Sequence, residues 1–372
     1  MSITQTNQTA ELTDEQRAVL LATRISDQFT GAVEVLTVEL GRRLGLYDIV
    51  ATGPLSADTL AAKAGIARRY AEEWLDQQAA AGFVDVVETD FRTGERTFVL
   101  SPARVAVLAD HDSLAFVGAL GSLLLGVAQT LPAVAEAYTA GTGVDYGEFG
   151  DELRFGLSAT NKPAYLHLAR SWVESAGLAD RLDRGGVIVD AGCGEGWSSI
   201  ALATAFPNAR VVAIDLDEES AEIARRHVEA AGLSARIQVL HGNAADTDLL
   251  RRVAGDDVVL VTVFEALHDM GEPIAALTGF HDLLADGGAV LVADHVQEDA
   301  MPSPAERVER SQYAMSVLHC LPATWAESDR VVNGTVLRVG TLQRWVREAG
   351  FAGAEHLPAL EHPMWRFYSV GK

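Results

Sequence analysis

Two stretches of this 372-residue chain hold residue types that can do chemistry. One is Val263-Phe-Glu-Ala-Leu-His268-Asp269-Met270, a histidine and an acid just past an apolar run. A neutral imidazole there can take a hydroxyl proton while the oxygen attacks an electrophile. The other is Val187-Ile-Val-Asp-Ala-Gly-Cys-Gly-Glu-Gly-Trp197, followed by an Ala-rich segment and by Val211-Val-Ala-Ile-Asp215. Glycines let the backbone approach a ligand closely and take φ > 0, and a carboxylate after the second apolar run can accept both hydrogens of a ribose diol. Strand, glycine turn, helix, strand, acid is half of a nucleotide-binding α/β unit.

The elements that must position these residues are readable from periodicity. Strands are predicted at 187–191, 210–215, 236–241, 257–263 and 288–294, alternating with helices at 198–206, 218–231, 247–253 and 273–285. Such alternation gives a mainly parallel sheet with right-handed crossovers and a ligand at the carboxyl ends of the strands. Helical segments follow at 303–320 and 341–350, with strand-like pieces near 352–357 and 365–370 that suggest a closing antiparallel hairpin. Upstream, Thr13-Asp-Glu-Gln16 reads as a capping box opening two helices, 14–28 and 30–44. A small helix starting at Ser56, a helix over Arg68 to Ala80, and strands from Gly82 and Thr97 joined by a turn at Thr93-Gly94 complete a winged-helix pattern. The fold class is therefore α/β, a Rossmann-like sheet behind a mainly helical winged-helix domain. The divisions are a disordered tail over 1–12, the winged helix over 13–110, a helical linker and substrate-covering region over 111–180, and a catalytic domain over 181–372. The loop Gly141–Gly150 and a helix over 161–178 belong to the covering region.

The glycine spacing is G-x-G-x-G rather than G-x-G-x-x-G, Trp197 stands where a third spaced glycine would be, and Asp190 precedes the turn. An acid at this place repels phosphate and suits a cationic ligand. The stretch resembles motif I of the class I S-adenosylmethionine (SAM) methyltransferases. The resemblance implies SAM as cofactor, with Asp190, Gly192, Gly194 and Gly196 at the turn, and Asp215 with Leu216 at the ribose. It also implies Asn243 with Ala244 at the adenine, and Phe264 beside the cofactor. Asn243 stands where that family usually has Asp; it reads equally well as a turn former.

With the winged-helix start, His268-Asp269 after the fourth strand and Leu284-Ala-Asp-Gly-Gly288 before the fifth, the chain resembles two-domain small-molecule O-methyltransferases. That implies His268 as catalytic base with Asp269 beside it, a homodimer built by the N-terminal domain, and a hydroxyl of a small molecule as methyl acceptor. Met270 replaces the family's usual tryptophan, and no residue in the sequence stands out as the later acid that steadies the histidine. His319, in Ser316-Val-Leu-His-Cys-Leu-Pro322, has three readings: a core histidine, a donor in the substrate pocket, or a partner of His268 and Asp269 in an iron site that chelates an α-keto acid for C-methylation. Tyr146, Tyr165, Gln312, Tyr313 and Trp365 are further pocket candidates. No metal is assigned to the O-methyl reading.

A net charge of −23 argues against nucleic acid as a general partner, because phosphate binding needs a basic face. A regulator that senses SAM through a DNA-reading winged helix is the alternative from another class, and the acids that follow Arg68 and Arg69 oppose it. Only Cys193 and Cys320 occur, which fits a reducing cytoplasm better than a disulfide framework. The N-terminus lacks a signal-peptide pattern. The apolar run Leu114–Leu131 is interrupted by glycines and polar residues and reads as a buried helix rather than a membrane span.

Overall fold

The computed structural model describes residues 12–89, 94–255, 257–328 and 330–372. The chain forms two compact units, with the division after Gly121. The tail expected over 1–12 lies, up to residue 11, outside the described residues, as does Thr93 of the expected hairpin turn.

In the first unit, helix α1 (Asp14–Arg43) begins with the predicted capping box: the Thr13 hydroxyl accepts from Gln16 N, and the Gln16 side chain accepts from Thr13 N. The break expected near residue 29 does not occur. Nothing there supplies a C-cap; the Thr30 hydroxyl donates back to the Ser26 carbonyl at 3.1 Å, and Gly31 continues in open space. Three short helices follow, α2 (Leu46–Val50), α3 (Ala57–Ala64) and α4 (Arg68–Ala80). Ser56 caps α3, and Gly65 ends it at φ +68°. Strand β1 (Asp85–Thr89) pairs antiparallel with β2 (Arg96–Val99) before α5 (Pro102–Leu108). β1 starts later than predicted because the Phe83 and Val84 amides turn back to the Gln78 carbonyl. Leu46, Tyr47, Leu60, Leu75 and Phe98 are fully buried together and form this winged helix's core.

Helix α6 (Leu120–Ala140) is long and apolar enough to cross a membrane by length and composition. Its Val127, Val134 and Ala137 instead pack in a protein core with Phe149, Leu153 and Ala323. A single 3-10 turn (Tyr146–Phe149) leads into α7 (Gly150–Ser175), longer at its start than predicted, and α8 (Ala179–Arg184). The sheet then alternates as expected: β3 (Gly186–Ala191), α9 (Trp197–Ala205), β4 (Ala209–Asp215), α10 (Glu218–Ala230), β5 (Ile237–His241), α11 (Thr247–Ala254), β6 (Val258–Phe264), α12 (Pro273–Leu283) and β7 (Leu284–Asp294). A two-residue strand β8 (Val296–Gln297) pairs in parallel with β9 (Leu337–Arg338). Between them lie α13 (Arg307–Met315), a π-helical turn (Ser316–Cys320) and α14 (Leu321–Glu327). After α15 (Val339–Glu348), β10 (Glu355–His356) and β11 (Arg366–Gly371) form the closing hairpin, with β11 antiparallel to β7.

The order β10-β11-β7-β6-β3-β4-β5 places β3 at the switch point, since the chain winds outward through β4 and β5 and then returns to the other side with β6. β6 is buried at every residue, as a central parallel strand covered on both faces must be. Alternate residues feed two cores: Ile188, Val211 and Leu291 on one side, Val189, Val212 and Val292 on the other. In such a sheet a ligand lies outside the carboxyl ends of the strands at the switch.

Candidate active site

The carboxyl ends of β3 and β4 carry the glycine turn and its acid. Gly192 and Cys193 donate their amides to the Ile214 carbonyl at 2.9 and 3.2 Å, tying the turn to β4. A Cβ at Gly192 would come within 2.5 Å of the Ala266 side chain, whereas one at Gly194 would meet nothing within 4 Å. Gly194 thus offers bare backbone at φ +51° to open space. Its amide donates to Asp215 Oδ2 at 2.7 Å, and Asp217 N donates to Oδ1 at 3.0 Å. Burial pushes the Asp215 carboxyl up to about 6, against these two amides, which favour its charged form. Leu216 beside it is 43% exposed, an apolar surface at the strand end. A carboxylate for a diol, a backbone cradle and an adjacent apolar surface fit a nucleoside, so these residues suit the expected cofactor.

Asp190, in contrast, is buried under the turn. Ser198 and Ser199 donate to its Oδ2 at 2.6 and 2.5 Å, and Thr262 donates to Oδ1 at 2.8 Å. These contacts tie β3, α9 and β6 together. Asn243 accepts from Ala245 N at 2.8 Å, which engages its oxygen in the local turn that also carries Ala244. Phe264 and Tyr165 stack at 5.9 Å, and Trp365 stacks on the other side of Tyr165 at 5.8 Å; all three are buried. Arg154 of α7 is bidentate to Asp217, with contacts of 2.6 and 2.9 Å, and closes the other flank of the Asp215 loop.

At the ends of β6 and β7 the chemistry-bearing pair becomes a triad. His268 Nδ1 lies 2.6 Å from Asp294 Oδ1, and the His268 amide donates to Asp294 Oδ2 at 3.2 Å. The sequence offered no evident acid partner for this histidine, and Asp294, the last residue of β7, corrects that expectation. Its signal was present: an acid ending a buried strand that neighbours β6. His268 Nε2 lies 3.2 Å from Asp269 Oδ1, an ion-pair distance without hydrogen-bond geometry, so this buried oxygen has no hydrogen-bond partner in the protein. Burial opposes a charge on His268, but Asp269 and Asp294 outweigh it and hold the imidazole well above its usual range. Asp294, despite burial, is held below the carboxylate range chiefly by His268.

Glu265 sits between the two halves of the site. It has φ +53°, the one non-glycine residue with positive φ among those described, accepts from Asn161 Nδ2, and places Oε1 3.2 Å from His295 Nε2. Sequence reading passed over Glu265, His295 and Asn161 because nothing in their spacing links them.

On the covering helices, His319 is buried and packs edge-on against Tyr146 and Phe149 at 5.4 and 4.5 Å. Its Nδ1 faces Cys320 Sγ at 3.3 Å. Gln312, also buried, accepts from Gln297 Nε2 at 2.9 Å, while Tyr313 accepts from Arg338. Among the described residues, His268 and Asp269 gather with Cys320, and His268 also gathers with Asp294 and His295. His319 does not join these groupings, so the two-histidine, one-carboxylate set that was one of its three readings is not among them. In the winged helix, Arg68 lies against Asp58 and Glu72, and Arg69 against Glu73, so both cations of the helix that the DNA-reading alternative would use face carboxylates of their own domain.

Residues 182–350 match the family model of the Methyltransferase domain, and residues 32–110 match that of the Rv2258c-like winged HTH domain. The chain is 26% identical over 336 residues to the 3-hydroxy-5-methyl-1-naphthoate 3-O-methyltransferase of Streptomyces sahachiroi, covering 88% of this chain and 89% of that protein. Human N-acetylserotonin methyltransferase in complex with SAM superposes with a TM-score of 0.68 at 16% identity, covering 94% of this chain and 97% of the other. An O-methyltransferase family protein from Burkholderia thailandensis gives 0.68 at 17% identity, covering 97% and 98%. At these identities the solved structures speak for the fold.

Proposed function

We propose that this chain, a SAM-dependent methyltransferase with a winged-helix N-terminal domain, methylates a hydroxyl oxygen of a small molecule with His268 as general base. The observation that carries the reading is the 2.6 Å contact from His268 Nδ1 to Asp294, which leaves Nε2 on the far side of the ring, beside Asp269, as the nitrogen for the acceptor's proton. SAM supplies the electrophilic methyl group. Asp215 and the Gly194 backbone hold the nucleoside, and Arg154 with Asp217 keeps the Asp215 loop in place. His268 Nε2 takes the hydroxyl proton as the oxygen–carbon bond forms and the carbon–sulfur bond breaks, leaving S-adenosylhomocysteine. Asp294 then faces the imidazolium and stabilises it. Positioning supplies most of the rate and the base a further factor of roughly 10² to 10⁴.

His268→Ala tests this. S-adenosylhomocysteine binding should persist by calorimetry while turnover of a phenolic acceptor falls by roughly that factor. Near-normal turnover would remove His268 from the role of base.

A homodimer is part of the same reading. Along α1, Leu21, Ile25, Phe29, Val33, Leu36 and Leu40 are exposed in one chain, Phe29 at 70%, and follow one another at three- and four-residue steps. Such a stripe suits the same stripe on a second copy. The free, buried cysteines are consistent with a reducing cytoplasm as its place.

A further inference from the structure

His319 is a buried group that the mechanism above does not use. It stands 1% exposed, its ring enclosed by Tyr146 and Phe149, and its Nε2 has no hydrogen-bond partner in the protein. An unsatisfied buried ring nitrogen is destabilising, so its persistence calls for a partner from outside the chain.

The other nitrogen decides what that partner must be. Neighbouring side chains on a regular α-helix do not face each other. Here Ser316–Cys320 form a π-helical turn, and Cys320 Sγ reaches Nδ1 of the adjacent His319 at 3.3 Å. The turn is built in: a Cβ at Gly334 would stand 2.0 Å from Ser316 Oγ, which itself accepts from Thr335 N at 3.2 Å. Burial pushes the Cys320 thiol up to about 12 and His319 down to about 4, so the thiol keeps its hydrogen and the imidazole stays neutral. The contact closes with either group as donor; where the thiol donates to Nδ1, the ring hydrogen lies on Nε2. The same sulfur gathers with His268 and Asp269, which puts His319 one side chain from the base.

We propose that His319, fixed as its Nε2–H tautomer by Cys320, is the donor that recognises the methyl acceptor, and that the acceptor is an uncharged aromatic bearing a carbonyl oxygen besides the hydroxyl to be methylated. This rests on the O-methylation reading above. The aromatic surroundings supplied by Tyr146 and Phe149 suit a flat ring, and the Asp269 oxygen nearby, which accepts no hydrogen bond, disfavours an anionic substituent. A donor-lined site rejects an analogue lacking the acceptor oxygen far more sharply than an apolar slot does.

The test uses phenol and the 2-, 3- and 4-hydroxyacetophenones as probes, titrated calorimetrically into the full chain saturated with S-adenosylhomocysteine. At least one ketone should bind roughly tenfold or more tightly than phenol. His319→Leu should remove that difference, His319→Gln, which keeps an N–H donor, should retain it, and both should bind S-adenosylhomocysteine as before. Equal binding of all four probes, binding of none, or a preference that survives His319→Leu would overturn the proposal. Nitrogen-15 spectra supply a second reading: His319 should show its hydrogen on Nε2, and finding it on Nδ1 overturns the assignment. Methyl transfer to the bound ketone is scored separately with SAM. A ketone that binds through His319 but is never methylated on its hydroxyl sinks the O-methylation reading and leaves the recognition intact.

Discussion

His268, in the turn just past β6, and Asp294, the last residue of β7, meet so that one carboxylate receives both the backbone amide and the Nδ1 of the same histidine, at 3.2 and 2.6 Å. The double contact fixes the ring's rotation as well as its tautomer. With Asp269 on the far side, the imidazole holds its proton well above the usual histidine range.

Activity should therefore rise with pH above neutrality and level off once His268 has lost its proton. The sign follows from the raised value: below it the base is blocked, above it the base is free. Asp294→Asn removes one of the two charges, so the rising limb should move to lower pH while maximal turnover falls, by up to the roughly 10²- to 10⁴-fold that a general base contributes. Stability runs the opposite way. A raised histidine stabilises the fold fully below its unfolded value of about 6.5, and that contribution is lost as pH climbs through the folded value. A pH–rate profile together with melting curves across the same range checks both signs. An unmoved rising limb in Asp294→Asn would detach Asp294 from the base.

Asp215 gives a limb of its own on the acid side. Its carboxyl is pushed up to about 6 by burial, so affinity for S-adenosylhomocysteine should fall as pH drops below that value and the ribose loses its acceptor. Asp215→Asn should weaken binding by roughly the worth of hydrogen bonds to a charged group, about 1.5–3 kcal/mol, and flatten the pH dependence. Calorimetric titration at several pH values reads both effects.

The Arg154–Asp217 pair is nearly closed to solvent, with side-chain exposures of 8% and 11%. Arg154→Met leaves Asp217 buried without its cation, which costs about 3–5 kcal/mol when one partner of such a pair is removed. The fold should melt lower, and S-adenosylhomocysteine should bind more weakly because Asp217 N also supports Asp215. Arg154→Met with unchanged melting would show the pair to be dispensable.

How much of this was legible depended on how local the signal was. The β3 and β4 strands and the turn between them announce themselves, because continuous Val/Ile runs and glycines obey rules that act within a few residues. Thr13 and Gln16 form their capping box for the same reason. Asp294 escaped notice since its meaning lies in a strand neighbour 26 residues away, and sheet order is not written in either strand. Asp190 was assigned toward the ligand, and its three hydroxyl donors from α9 and β6 come from elements whose packing no local pattern reveals. The His319–Cys320 contact depends on a π turn, which no periodicity of apolar residues reveals. The break expected inside α1 failed because a glycine in a helix is a cost, and length elsewhere absorbs it.

The paired acids around His268 also settle what the site demands in electrical terms. Asp269 and Asp294 face one ring, and together they favour its protonated form. In the proposed reaction the cation arrives as a sulfonium and departs as an imidazolium, so the two carboxylates see one positive charge before transfer and one after it. The proton removed from the acceptor becomes the counterion that the neutral product no longer supplies.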